Sequence, residues 1–182
     1  MILKNDYKII KTLHESSSTI VYRAIRLKDK HAVILKVLKQ SFRDLHKVSQ
    51  FVNEAKILSR LKSKHVVLLL DTISTAELYY HVFDDIGGDS LYNYLQLGSF
   101  ELTEALSISK CILQTLSYIH DKQIIHADIN PKNIIYNKLT KNIQIIDFGL
   151  SIEGGSIINM NETNHSSGNL YYISPEQTGL TT

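Results

Sequence analysis

Apolar and polar positions change period several times along the 182 residues of this chain, and each change marks a different element. Residues 7–13 and 20–25 read as two strands, and the polar run His14-Glu15-Ser16-Ser17-Ser18-Thr19 between them predicts a hairpin turn. Residues 31–38 predict a third strand, an apolar run broken by one cation, Lys36. The period then becomes helical. Leu45, Val48, Val52 and Ala55 recur with Phe51, Leu58 and Leu61 beside them, after a capping start with Ser41 at the N-cap and Asp44 three residues on. Glu54 falls on the stripe of Phe51, Leu58 and Leu61, where a carboxylate is costly unless it is paired.

Two more strands are predicted over residues 66–70 and 78–83, separated by a polar turn. Gly87-Gly88 before Asp89 marks a loop and the cap of a following helix. Leu102, Ala105, Leu106, Ser109, Ile112, Leu113, Leu116 and Ile119 then predict a long, deeply buried helix ending near a structural His120. Beyond it, two short apolar runs each deliver a carboxylate, Asp128 after Ile124-Ile125 and Asp147 after Ile145-Ile146. The first run also delivers the amide of Asn133 after a turn stiffened by Pro131. Residues 150–167 are polar and rich in Gly, Ser and Asn, the composition of a mobile loop.

Composition narrows the function classes. A net charge of +2 advertises no polyanion-binding surface, so no nucleic-acid partner is expected. The single cysteine, Cys111, excludes an intrachain disulfide and reads as a core thiol in a reducing compartment. The longest apolar run is far short of the ~20 residues that span a bilayer. The first six residues are too polar for a signal peptide, and a cytoplasmic location is expected.

The segment His126-Ala127-Asp128-Ile129-Asn130-Pro131-Lys132-Asn133 fits the H-R-D-x-x-x-x-N catalytic loop of protein kinases with Ala127 in place of Arg, and Asp147-Phe148-Gly149 is an unmodified D-F-G. On these residues the chain resembles the eukaryotic-like Ser/Thr protein kinase domain. The resemblance implies an α+β, two-lobe fold: a small antiparallel lobe plus one helix over residues 1–83, a hinge at 84–88, and an incomplete, mainly helical large lobe over 89–182. A complete large lobe needs roughly a hundred further residues, so the resemblance is to a truncated domain whose long helix and D-F-G segment expose apolar surface.

The resemblance also implies roles. Lys36 matches the V-A-I-K lysine that binds the nucleotide phosphates, and Glu54 its ion-pair partner. Asp128 would be the catalytic base, Asn133 and Asp147 the Mg²⁺ ligands, and His126 a scaffold residue. Ser16, Ser17 and Val21 would lie in the phosphate-covering loop, and Asp84, Asp85 and Ile86 would offer hinge backbone to adenine, with Phe83 as gatekeeper. The departures are specific. His14, Ser16 and Thr19 stand where glycines let backbone amides approach phosphate. Ala127 removes the Arg that clasps a phosphorylated activation loop, and Asn130 replaces a Lys directed at the γ-phosphate. Residues 168–176 resemble G-T-x-x-Y-x-A-P-E, ending on Glu176, and Thr163, Ser166 and Ser167 are candidate phosphosites.

Transfer of the γ-phosphoryl group of ATP, with Mg²⁺, to Ser or Thr of a protein substrate is the implied function. A pseudokinase that binds nucleotide without catalysis is the alternative. A small-molecule kinase shares H-x-D-x-x-x-x-N, but Asp147-Phe148-Gly149 and Ser174-Pro175-Glu176 argue against it. More narrowly, the D-I-N-P form resembles the N-terminal kinase domain of bacterial hybrid sensor kinases, in which ATPase, sensor and histidine kinase modules follow on the same polypeptide.

Overall fold

Five extended segments pair side by side in the computed structural model, which describes residues 6–39, 45–75, 78–154 and 171–174. They are β1 (Tyr7–Glu15), β2 (Thr19–Arg26), β3 (Ala32–Leu38), β4 (Leu69–Ser74) and β5 (Tyr79–Asp84), joined antiparallel in the order β1-β2-β3-β5-β4. The chain divides into two compact units, Met1–Ser59 with Val67–Ile86 and Arg60–Val66 with Gly87–Thr182.

In the first unit the two faces of the sheet have different tasks, because side chains alternate with period two. Val33, Leu35 and Val37 of β3 join Tyr7, Ala24, Tyr80 and Val82 in one buried cluster. The opposite face carries Lys36 directly across from His81, and Ile34 across from Phe83. Helix α1 (Leu45–Arg60) buries Phe51, Glu54, Ile57 and Leu58, while Val52 and Leu45 are exposed. The inward stripe is thus the one that carries Glu54.

The second unit holds helices α2 (Leu91–Leu97) and α3 (Leu102–Asp121) with short strands β6 (Asp89–Ser90), β7 (Ile124–Ile125), β8 (Ile134–Asn137), β9 (Asn142–Ile145) and β10 (Ile152–Glu153). Strands β6, β8 and β9 form one sheet, and β10 pairs with β7. Leu91, Ile108, Ile134, Tyr136 and Ile143 make its core. Gly88 is required at the edge of this sheet: its φ is +80°, and a Cβ there would overlap the Tyr136 carbonyl oxygen.

Four expectations are corrected. The fourth strand begins at Leu69, later than predicted, because Val66 bridges Ile145 and the Ile145 N–H donates to the His65 carbonyl. Residues 60–66 belong with the second unit for the same reason, with Lys62 N–H bonded to the Tyr118 hydroxyl and the His65 ring to the Ile143 carbonyl. Helix α3 is not buried all along the predicted stripe: Ile108, Thr115 and Ile119 face inward, whereas Leu102, Leu106 and Leu113 line an exposed strip. Phe148 of the D-F-G segment, expected near exposed apolar surface, is fully buried. The capping start at 41–44, the candidate phosphosites Thr163, Ser166 and Ser167, and Glu176 lie outside the described residues.

Candidate functional site

Residues singled out from the sequence gather in two places, one in each unit. In the first, Lys36 Nζ donates to Glu54 Oε2 at 2.7 Å, with the Glu54 side chain only 2% exposed. A carboxylate this buried stays ionised only with a partner, so removing either residue is far costlier than the pair's net contribution. Val21 is the β2 residue directly opposite Lys36.

The loop between β1 and β2 is closed by its own side chain. Ser16 Oγ accepts from the N–H groups of Thr19 at 3.0 Å and Ser18 at 3.3 Å. Lys39 ties the loop down: Nζ donates to Glu15 Oε1 at 2.6 Å and to the Ser16 carbonyl at 2.8 Å. Ser16 therefore faces the turn it builds, and Ser17 is exposed at its tip.

The predicted hinge is braced from within the first unit. The Asp84 N–H donates to the Leu68 carbonyl at 2.9 Å and that of Asp85 to Ala32 at 3.3 Å. Arg23 holds the Asp85 carboxylate bidentately, Nε to Oδ2 at 2.6 Å and Nη2 to Oδ1 at 3.2 Å. Asp84 pairs with His31 at 2.8 Å, and Ile86 is half-buried at the end of the unit. The carboxylates of Asp84 and Asp85 thus serve the fold.

In the second unit the loop after β7 converges on Asp128. Asn133 Nδ2 donates to Asp128 Oδ2 at 2.7 Å and to its carbonyl at 2.9 Å. Asn130 Nδ2 donates to Oδ1 at 3.0 Å. Each carboxylate oxygen thereby has an amide donor, which fixes the rotamer. Asn130 also caps the 3-10 turn Pro131–Asn133 by accepting from Lys132 N–H at 2.9 Å. With its N–H groups on Asp128, Asn133 presents Oδ1 as an oxygen donor, and the Ile146 N–H bonded to the Asn133 carbonyl at 2.9 Å ties it to the strand leading into Asp147. An amide oxygen and a carboxylate are hard donors that fit Mg²⁺, which takes one or two protein ligands and completes its shell with phosphate oxygens and water. Among the described residues no cluster of three or more His, Cys, Asp or Glu could hold a metal by itself.

His126 is the post on which this loop hangs. It is 1% exposed, its Nε2–H donates to the Ile146 carbonyl at 3.0 Å, and its Nδ1 accepts the Asp128 N–H at 3.3 Å. Those roles require the neutral ring, and burial lowers its pKa from the usual 6.5. Phe148 packs edge-on against it, centroids 4.6 Å apart. Two residues of the motifs are in the left-handed region, Ala127 at φ 63° and Asp147 at φ 65°. Non-glycine residues held there cost of order 1–3 kcal/mol and concentrate at functional sites.

Sequence reading missed three features. His81, a polar residue within the apolar run of β5, is fully buried beside the Lys36–Glu54 pair. Asn130, noted for the cation it replaces, binds the Asp128 carboxylate. Arg23 braces the hinge from β2. Only His81 left a signal, as a titratable group where β-periodicity demands an apolar one.

Comparison with known proteins bears on both clusters. The model of the protein kinase domain family matches residues 7–181. The chain is 30% identical over 173 residues to serine/threonine-protein kinase PrkC of Bacillus subtilis, covering 94% of this chain and 26% of that protein. It is 29% identical over 180 residues to the probable serine/threonine-protein kinase CPE1738 of Clostridium perfringens, covering 97% of this chain and 26% of the relative. SNF1-related protein kinase catalytic subunit alpha KIN12 of Arabidopsis thaliana is 31% identical over 152 residues, 82% of this chain and 30% of its own length. The chain thus spans well under half the length of these relatives. It belongs to the protein kinase domain family.

Proposed function

We propose that this domain binds ATP with Mg²⁺ and transfers the γ-phosphoryl group to a Ser or Thr hydroxyl of a protein substrate. The observation that carries the proposal is the Asp128 carboxylate held by two amides, Asn130 at 3.0 Å and Asn133 at 2.7 Å. A carboxylate so fixed is prepared to orient a substrate hydroxyl and accept its proton as the O–P bond forms. Lys36, kept charged by Glu54, supplies positive charge to the nucleotide phosphates. Asn133 and Asp147 hold the magnesium, which when bound neutralises phosphate charge. The hinge backbone from Asp84 to Ile86 receives the adenine. Phosphoryl transfer needs mainly positioning and electrostatic stabilisation, which is what these residues offer.

The proposal places the domain in the cytoplasm, where ATP is available. The D-I-N-P likeness supports ATPase, sensor and histidine kinase modules as its neighbours on one polypeptide.

A second reading, nucleotide binding without catalysis, is favoured by one observation. Ser16 Oγ already occupies the Thr19 and Ser18 amides that a phosphate would use. Transfer of labelled phosphate from Mg-ATP to a generic Ser/Thr protein substrate separates the two. Catalysis predicts turnover that falls roughly 10²- to 10⁴-fold in Asp128→Asn, the usual weight of a general base. Turnover unchanged by that substitution rejects the primary proposal, and nucleotide binding with no turnover in either protein establishes the second reading.

A further inference from the structure

Helix α1 must keep one rotation about its axis for Glu54 to meet Lys36, and apolar packing alone is a poor guide because it is non-directional. The structure supplies a directional contact at the right turn. His81 Nε2–H donates to the Phe51 carbonyl at 2.9 Å, inside α1 and three residues before Glu54. Residues three apart share a helix face, so a bond at Phe51 sets the azimuth of Glu54. The ring also stacks on the Phe51 ring, centroids 3.7 Å apart and planes 10° from parallel. On its other side Nδ1 meets Thr72 Oγ1 at 2.9 Å, which ties the ring to β4, and Lys36 is its partner across the β3–β5 ladder. One imidazole therefore joins β4, β5 and α1 beside the ion pair.

We infer that His81 is a positioning residue, a polar pin that fixes the rotation of α1 and so holds Glu54 on Lys36. Its Nε2 lies 3.9 Å from Glu54 Oε2, too long for a hydrogen bond, so it aligns the carboxylate without competing for it. Burial depresses the His81 pKa to about 4, which keeps a second cation away from Lys36 near neutral pH. The inference rests on the proposed kinase reading only for its consequence in nucleotide binding. The pin itself is tested without nucleotide.

The readout is acylation of the Lys36 amine by a water-soluble N-hydroxysuccinimide acetate, followed by mass spectrometry of the 182-residue chain. Loss of an ionised partner lowers an amine's pKa, and each unit gives a tenfold larger reactive fraction near neutral pH. Glu54→Gln provides the reference, an increase of roughly tenfold. His81→Leu is expected to approach that rate, and His81→Gln, which keeps a side-chain N–H for the Phe51 carbonyl, to stay near wild type. If His81→Leu does not fold, Thr72→Val removes the hydroxyl that aims the ring, and a smaller increase is expected. A folded His81→Leu or Thr72→Val protein that labels at the wild-type rate, with only its melting temperature lowered, overturns the inference and leaves His81 as core packing. A chain that labels as expected yet binds no Mg-ATP would keep the pin and reject the kinase reading.

Discussion

Two loops of this protein use the same device, a short polar side chain bonded to groups of its own loop, to opposite effect. In the β1–β2 loop Ser16 turns its hydroxyl onto the Ser18 and Thr19 amides, and the groups best suited to meet an anion are satisfied internally. In the loop following β7, Asn130 and Asn133 turn their amides onto Asp128, and its carboxylate is held in one orientation. A donor that is already bonded gains little from a ligand, whereas an acceptor fixed by donors stays oriented. Self-bonding closes the first loop and prepares the second. Two of the departures of this chain from kinase motifs, Ser16 for glycine and Asn130 for lysine, therefore differ in meaning.

The largest effect that can break this comparison is acid. Each unit rests on a buried neutral imidazole, His81 in the first and His126 in the second, both with pKa lowered by burial. A histidine with depressed pKa binds fewer protons folded than unfolded, so stability is complete above about pH 6.5 and falls as pH drops toward the folded value. For His81 the window runs from 6.5 to about 4 and the loss approaches about 3 kcal/mol. Chemical denaturation across that range checks it, with His81→Phe expected to flatten part of the slope. A slope identical in the variant would remove His81 from the account.

Next in size is Asn130→Ala, which removes one amide from the Asp128 carboxylate. A hydrogen bond to a charged group contributes about 1.5–3 kcal/mol, so phosphoryl transfer should fall roughly 10- to 100-fold with little change in nucleotide affinity. An equal loss in affinity would mean that Asn130 serves the nucleotide and not Asp128. The smallest effect is expected at Ser16→Gly, which releases the Ser18 and Thr19 amides. Neutral hydrogen bonds of about 0.5–1.5 kcal/mol predict Mg-ATP binding tighter by roughly two- to tenfold in calorimetry. Unchanged or weaker binding would show that the closed loop is not what limits affinity.

Much of the fold was legible because its patterns are local. Alternation marked the strands, and the inward stripe of α1 placed Glu54 where a carboxylate is costly unless paired, while the resemblance to the kinase domain named Lys36 as its partner. Fixed spacing brought Asp128 and Asn133 into one loop. What could not be read depends on partners distant in sequence. Val66 looked like the start of a strand until Ile145 claimed it. Leu102, Leu106 and Leu113 share the periodicity of the buried residues of α3, and only packing decides which stripe turns inward. The Ser16 closure hid for another reason: a serine-rich turn states that hydroxyls are present, not where they point.

The central proposal is that this domain binds Mg-ATP and that Lys36 and Asp147 each contribute to its affinity. Calorimetric titration of the chain with Mg-ATP, beside Lys36→Met and Asp147→Asn, tests it most directly. The account predicts Mg-ATP binding whose affinity drops in both variants while their folding, followed by circular dichroism, is retained. Binding of equal strength in the wild type and in both folded variants would contradict it.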